Sequence, residues 1–122
     1  MALKDIALTQ MVYGTTSDYD TSSVRTYLDN WTTTTFINDE LKEVNGYKAR
    51  LITYNELRSI ISYSWHKGFA YYTMSPAFGT STTSVYYIQS GGFIDDNWKV
   101  NASNNVRPVI NVYKSALEDS LD

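Results

Sequence analysis

Apolar residues in the first half of the chain recur with the period of an α-helix. Over Ser22–Trp31 they lie three or four positions apart on one helical face, at Val24, Tyr27, Leu28 and Trp31. Asp20 or Thr21 precedes this segment in the position of an N-cap. The β-branched tract 32–35 follows, and we expect the first helix to end there.

A second strong helix signal lies further along. Thr53-x-x-Glu56 is the sequence of a capping box, and it predicts a helix over Tyr54–Ser62. The apolar face of that helix consists of Leu57, Ile60 and Ile61. Between the two helices we expect a short helix at Phe36–Lys42, a turn at Asn45-Gly46 and a short strand at Ala49–Ile52.

After residue 62 the pattern changes to strands separated by turn-forming residues. Four strands are predicted, at Phe69–Met74, Ser84–Gln89, Phe93–Val100 and Val106–Tyr113. The intervening segments 76–83, 90–92 and 101–105 are expected to be turns. Helices followed by strands predict an α+β fold, in a single domain over residues 1–122 with a polar tail at 114–122.

Composition narrows the possible functions. The chain has 122 residues, of which 43% are hydrophobic and 15% aromatic, so it is too apolar to be disordered. Its net charge of -3 argues against binding to nucleic acid. It has no cysteine, which excludes disulfides and thiolate metal sites. No apolar run predicts a membrane span, so we expect no membrane insertion.

One long segment, Gly68–Ile94, carries no charged residue but seven aromatic ones, at Phe69, Tyr71, Tyr72, Phe78, Tyr86, Tyr87 and Phe93. It can be a run of strands through the middle of a sheet. Part of it can also be a recognition surface, because Tyr, Ser and Gly dominate many binding loops. Both interpretations are compatible, since alternate residues of a strand point to opposite faces.

No catalytic motif is present. His66 is the single histidine, and no Gly-x-Ser-x-Gly elbow or glycine-rich phosphate loop accompanies it. The pairs Asp18/Asp20 and Asp95/Asp96 lie outside any complete calcium-loop pattern and are interpreted as solvated carboxylates. We therefore expect a protein that is not an enzyme, with no cofactor and no metal.

Four separated stretches carry a resemblance. Residues 47–57 resemble an Arg-Leu-Pro-Thr-x-x-Glu-Trp/Leu motif, and 72–76 resemble Trp-Thr-x-Ser-Pro. Residues 85–93 are similar to Val-x-Arg-Gly-Gly-Ser-Trp, and Val106-Arg107-Pro108-Val109-Ile110 corresponds to a terminal Gly-Phe-Arg. These are motifs of the formylglycine-generating, sulfatase-modifying superfamily. The resemblance is strongest to uncharacterised Gram-positive and phage surface domains that end in Gly-Val-Arg-Pro-Val-Ile and carry a helix similar to residues 23–30. It spans roughly residues 20–113.

The resemblance implies a C-type-lectin-like fold, in which two to three helices in the N-terminal half pack on small antiparallel sheets in a loop-rich structure. The oxidase members use cysteines and copper, so their activity does not carry over. The calcium-dependent lectins use a Glu/Gln-Pro-Asn/Asp loop and a Trp-Asn-Asp strand. Both prolines lie elsewhere here, and Asp96-Asn97-Trp98 has the second motif in the wrong order. Calcium-independent behaviour is therefore expected.

Five residues of these motifs have a structural explanation. Arg50 and Arg107 are expected to anchor loops or helix ends by hydrogen bonds. Gly91 and Gly92 are expected to form a tight turn or bulge. Pro108 indicates an edge or a bulge, because proline cannot donate to a strand ladder.

A binding site is expected in the loops that join the last strands. Its candidate residues are aromatic groups for stacking and polar groups for hydrogen bonds, namely Trp65, His66, Phe78, Asp95, Asp96, Asn97, Trp98, Asn101 and Asn104. The interpretation we favour is an extracellular recognition or adhesion module of a bacterial cell surface, such as a pilin-like fibre, or of a phage virion, with a glycan or protein ligand. Alternatives are a structural subunit that contacts neighbouring copies through the uncharged aromatic region, a retroelement-diversified variable protein, and an enzyme with an unrecognised site.

Overall fold

The computed structural model describes residues 2–4, 7–36, 40–63 and 68–112. It contains two α-helices, α1 (Ser23–Thr35) and α2 (Tyr54–Ile60), a short 3-10 turn at Tyr19–Thr21 and a tight turn at Ala77–Gly79. The strands are β1 (Ala2–Leu3), β2 (Thr9–Val12), β3 (Ala49–Arg50), β4 (Tyr71–Pro76), β5 (Ser84–Ile88), β6 (Ile94–Lys99), β7 (Ser103–Val106) and β8 (Val109–Ile110). The α+β class with two helices and small antiparallel sheets is confirmed. The predicted tail, 114–122, lies outside the described residues.

The described strands form three antiparallel sheets. Their orders are β1-β8-β3, β2-β7 and β4-β5-β6. In the first two sheets an N-terminal strand pairs with a C-terminal one, with Leu3 opposite Val109 and Thr9 opposite Val106. Contacts between distant parts of the sequence therefore hold both small sheets together.

The sheet β4-β5-β6 has an apolar cluster on each face. Tyr72 belongs to the cluster that includes Val24 and Leu28 of α1, whereas the adjacent Tyr71 belongs to the cluster that includes Leu57 of α2. Neighbouring residues of a strand point to opposite faces, so the two helices cover opposite sides of this sheet. Neither described helix is long and apolar enough to cross a lipid bilayer.

Both predicted ends of α1 are wrong. The N-cap is Ser22, whose Oγ accepts a hydrogen bond from the Arg25 amide at 3.0 Å, because the preceding residues form a 3-10 turn. The tract 32–35 continues the helix and does not end it. The hydroxyls of Thr32, Thr33 and Thr34 donate to main-chain oxygens three or four residues earlier, which satisfies their polar groups within the helix.

The short helix expected at Phe36–Lys42 is absent from the described part of that segment, which excludes 37–39. Phe36 is the C-cap of α1, and Leu41 forms an antiparallel bridge with Val112. Leu41 is buried in the α1 cluster, so its backbone pairs with the C-terminal segment instead of forming a helical turn. The turn at Asn45-Gly46 is confirmed, with positive φ at both residues.

The capping box is confirmed. The Glu56 amide donates to the Thr53 hydroxyl at 3.2 Å, and the Thr53 amide donates to the Glu56 carboxylate at 2.9 Å. The four predicted strands exist with shifted ends, but the last one is divided into β7 and β8. The turn predicted at 101–105 is wrong over 103–105, because these residues pair with β2. The pattern did not predict β1 or β2.

The residues given a structural explanation all lie in the frame of the fold. Arg50 pairs with Glu56, and Arg107 is 1% exposed with its Nε donating to the Lys4 carbonyl. Gly92 has φ +96 in the turn between β5 and β6, and Gly91 precedes it there without a positive φ. Pro108 lies in the break between β7 and β8.

Candidate binding groove

A tight turn between β4 and β5 presents Phe78 to solvent. The Thr80 amide donates to the Ala77 carbonyl at 3.3 Å, and the two residues between them, Phe78 and Gly79, have φ of 56° and 73°. This is the geometry of a type I′ turn, for which Asn-Gly is the preferred sequence. A phenylalanine in this conformation is strained, and its side chain is 71% exposed.

The Phe78 ring belongs to a cluster of three aromatic side chains from different elements. Tyr54, the first residue of α2, stacks on Tyr86 of β5 with ring centroids 4.1 Å apart and an interplanar angle of 19°. Phe78 approaches Tyr86 edge to face, with centroids 6.2 Å apart. The Tyr54 amide donates to Ser75 Oγ at 2.9 Å, which fixes the start of α2 against β4.

These three rings are shared by two adjoining grooves, which we call the upper groove and the lower groove. The upper groove has a volume of about 380 Å³ and is also lined by Thr53, Asn55, Ser75, Pro76 and Gly79. The lower groove has a volume of about 260 Å³ and is also lined by Ile94, Asp95 and Asp96. The volume of the upper groove is at the lower end of the range of small-molecule sites, about 300–1,000 Å³, and the volume of the lower groove lies just below that range.

A bulge in β6 accompanies the carboxylates of the lower groove. Val85 pairs with Trp98 and Tyr87 with Asp95, so three steps along β6 correspond to two along β5. Asp95 accepts hydrogen bonds from the Asp96 amide at 2.7 Å and from Gln89 Nε2 at 2.9 Å. The carboxylate of Asp96 has no hydrogen bond or ion pair within the described ranges.

Tyr87 lies beside this acidic pair. Burial, followed by the charge of Asp95, raises the pKa of Tyr87. Its phenol therefore remains a neutral donor, and it donates to Asp95 Oδ2 at 3.4 Å.

The structure brings three of the predicted site residues together: Phe78, Asp95 and Asp96 all line the lower groove. Trp98 lies on the other face of the sheet. It packs against the α1 cluster, its ring lies 5.0 Å from that of Tyr87, and its Nε1 donates to the Ala102 carbonyl at 3.0 Å.

The other candidates line neither groove. Asn97 and Asn101 are exposed, whereas Asn104 is 5% exposed within β7 and accepts from the Asn105 amide at 2.8 Å. Trp65 and His66 lie outside the described residues.

The candidate residues predicted from the sequence did not include Tyr54 or Tyr86, although Tyr86 belongs to the uncharged segment in which a recognition surface is one interpretation. Within that segment Tyr86 is one of seven aromatic residues, and the sequence does not distinguish it from those that pack in the core. Tyr54 lies within the capping-box sequence, which predicts a helix but no role in a site. Their proximity comes from tertiary packing, for which neither position carries a local signal.

The chemistry of the two grooves is stacking and hydrogen bonding. Their described lining residues include no histidine, lysine or arginine. Across the described ranges, no group of three or more histidine and acidic side chains could hold a metal ion. The chain matches no family model, no curated protein and no solved structure.

Proposed function

We propose that this protein is a non-enzymatic recognition module with a C-type-lectin-like fold, and that it binds a glycan or protein ligand across the two grooves around Phe78. The extracellular setting, on a bacterial surface fibre or a phage particle, is part of the same proposal. It is supported by the four motifs between residues 47 and 110 that resemble surface domains of that kind.

The observation that carries the proposal is the conformation of Phe78. A large apolar side chain that is 71% exposed gives up the stabilisation available from burial. Its left-handed backbone adds a cost of about 1 kcal/mol or more. A residue that is unfavourable to folding in two ways, at the rim of an aromatic groove, is best explained by contact with a ligand.

The test screens the wild type and variants of two exposed phenylalanines against glycan arrays and libraries of displayed peptides. Phe93 is 73% exposed, lies in the turn between β5 and β6 and lines neither groove, so Phe93→Ser is a matched control. Ligands should bind the wild type and Phe93→Ser, and should be lost with Phe78→Asn. Equal binding by all three proteins, or no ligand on either array, contradicts the proposal.

A structural subunit is the second candidate. Phe78 and Phe93 are large exposed groups in an uncharged segment and are suited to contacts between copies. Sedimentation velocity distinguishes the two functions. A monomer at high micromolar concentration favours ligand recognition, whereas an assembly that dissociates when Phe78 and Phe93 are replaced favours the structural subunit.

A further inference from the structure

The lower groove combines aromatic surface with uncompensated negative charge. Among the described residues, Asp95 accepts hydrogen bonds from neutral donors, namely the Tyr87 phenol, the Gln89 amide group and the Asp96 main chain. Asp96 is half-buried, and its carboxylate has no partner in the part of the chain that the structure describes. A half-buried carboxylate without a hydrogen-bond partner favours a positively charged occupant.

The surrounding rings favour the same kind of occupant. An aromatic face attracts a cation within about 6 Å of its centroid. Tyr54 and Tyr86 use one face each to stack on one another, whereas the Phe78 ring is mostly exposed. The guanidinium of Arg58 lies 5.8 Å from the Tyr54 ring centroid, but Arg58 does not line the lower groove.

The same protein contains an internal example of such a cation site. The guanidinium carbon of Arg25 lies 4.8 Å above the Tyr47 ring. Arg25 Nη1 lies 2.8 Å from the carboxylate of Asp20, and its Nε lies 3.5 Å from that of Asp29. An aromatic ring and two aspartates thus hold one arginine there. The lower groove presents an aromatic surface and the carboxylate of Asp96 without a described basic residue.

We propose that the lower groove binds an arginine side chain of a protein partner. This inference rests on the proposed function and narrows its ligand from a glycan or protein to a protein segment with an exposed guanidinium. A planar guanidinium can stack on the Phe78 ring while it donates two hydrogen bonds to a carboxylate. A compact ammonium lacks the planar fork, and a neutral sugar lacks the positive charge that would compensate the carboxylate.

The test is an NMR titration of the full chain with three probes. The first is acetyl-Gly-Arg-Gly-amide. The second is the same peptide with citrulline, which has nearly the same shape but no charge, and the third is the neutral disaccharide diacetylchitobiose. The arginine peptide should shift the amides of Gly79, Asp95 and Asp96 saturably, with an affinity that falls as salt rises. The citrulline peptide should bind about tenfold more weakly or not at all.

Two variants locate the charge effect. Asp96→Asn should lower the affinity for the arginine peptide by about fivefold to tenfold, because it removes one carboxylate. Glu40→Gln removes one exposed charge next to the Leu41 bridge and outside both grooves, and should leave the affinity unchanged. If the Asp96→Asn protein does not give a folded spectrum, the Phe78→Asn protein is titrated instead, and the same loss of affinity is expected.

The outcomes separate the inference from the function on which it rests. Equal binding of the arginine and citrulline peptides overturns the arginine proposal. If only the disaccharide shifts the groove amides, the arginine proposal is also overturned, but the recognition function is retained. Absence of any shift with all three probes also overturns the arginine proposal. The recognition function is then decided by the array comparison of Phe78→Asn with Phe93→Ser.

Discussion

Arg50 and Glu56 form a bidentate ion pair, with Nη1–Oε1 and Nη2–Oε2 distances of 2.7 and 2.8 Å. The same Oε1 accepts the hydrogen bond from the Thr53 amide at 2.9 Å. One carboxylate therefore joins the end of β3 to the first turn of α2. Because Tyr54 lies in that turn, this ion pair positions one of the three rings shared by the two candidate grooves.

Glu56→Gln should lower the free energy of unfolding by about 1–2 kcal/mol at neutral pH, because glutamine keeps the capping hydrogen bond but loses the ion pair. Chemical denaturation measures the loss. Glu40→Gln, which removes an exposed charge, is the matched control and should change the midpoint little.

The difference between wild type and Glu56→Gln should also depend on pH. Burial alone would raise the pKa of Glu56, but hydrogen bonds from Arg50 and Thr53 outweigh it and lower the pKa below its ordinary value of 4.5. The stabilisation is therefore complete above pH 4.5 and disappears as the pH falls through the lowered pKa. A difference that stays constant down to pH 2 would contradict this assignment.

Arg107→Ala should destabilise the protein by about 3 kcal/mol, because it leaves a cavity and removes a hydrogen bond to the half-buried Lys4 carbonyl. The guanidinium carbon lies 5.0 Å from the ring centroids of both Phe69 and Tyr71, and Nε donates to the Lys4 carbonyl. Arg107→Lys should recover only part of the loss, since an ammonium cannot stack between two rings. Full recovery with lysine would show that charge alone matters.

Phe78→Asn and Trp98→Ala should have opposite effects on stability. Asparagine suits the first central position of a type I′ turn, so Phe78→Asn should leave stability unchanged or raise it by about 0.5–1 kcal/mol. Trp98→Ala removes a half-buried ring from the α1 cluster and should cost about 2–3 kcal/mol. Urea unfolding curves give both values, and a marked loss for Phe78→Asn would assign Phe78 to the core.

Calcium should not change the thermal midpoint. No described group of acidic side chains could hold the ion, and the lectin calcium motifs are missing from the sequence. Thermal unfolding in chelator and in millimolar calcium should coincide. A rise of several degrees with calcium, reduced in Asp96→Asn, would show a metal site at the lower groove.

Local signals predicted the parts of the fold that depend on neighbouring residues. The buried face of α1 includes Val24 and Leu28, as its period indicates, and the Thr53 capping box starts α2 where predicted. The prediction that α1 ends at the tract 32–35 is wrong, because β-branched propensity takes no account of the threonine hydroxyls, which donate to main-chain oxygens earlier in the helix.

Features that depend on distant contacts could not be predicted in this way. β2 has no strong strand pattern, and its partner β7 lies more than ninety positions away. Within the candidate site, Phe78 and Trp98 look alike in sequence, as large groups in polar segments. A left-handed turn exposes Phe78, whereas the register of β6 turns Trp98 toward the α1 cluster.

Three of the residues that line the two grooves differ from the frame of the fold in how few hydrogen bonds their side chains make. Asn55, Phe78 and Asp96 line the grooves, yet no side-chain hydrogen bond ties any of them to the described frame. Mutations at these three positions can change the chemistry of the grooves with little penalty to folding. A lineage of such proteins can therefore diversify rapidly at the rim while its ion pairs, caps and buried tyrosines stay fixed.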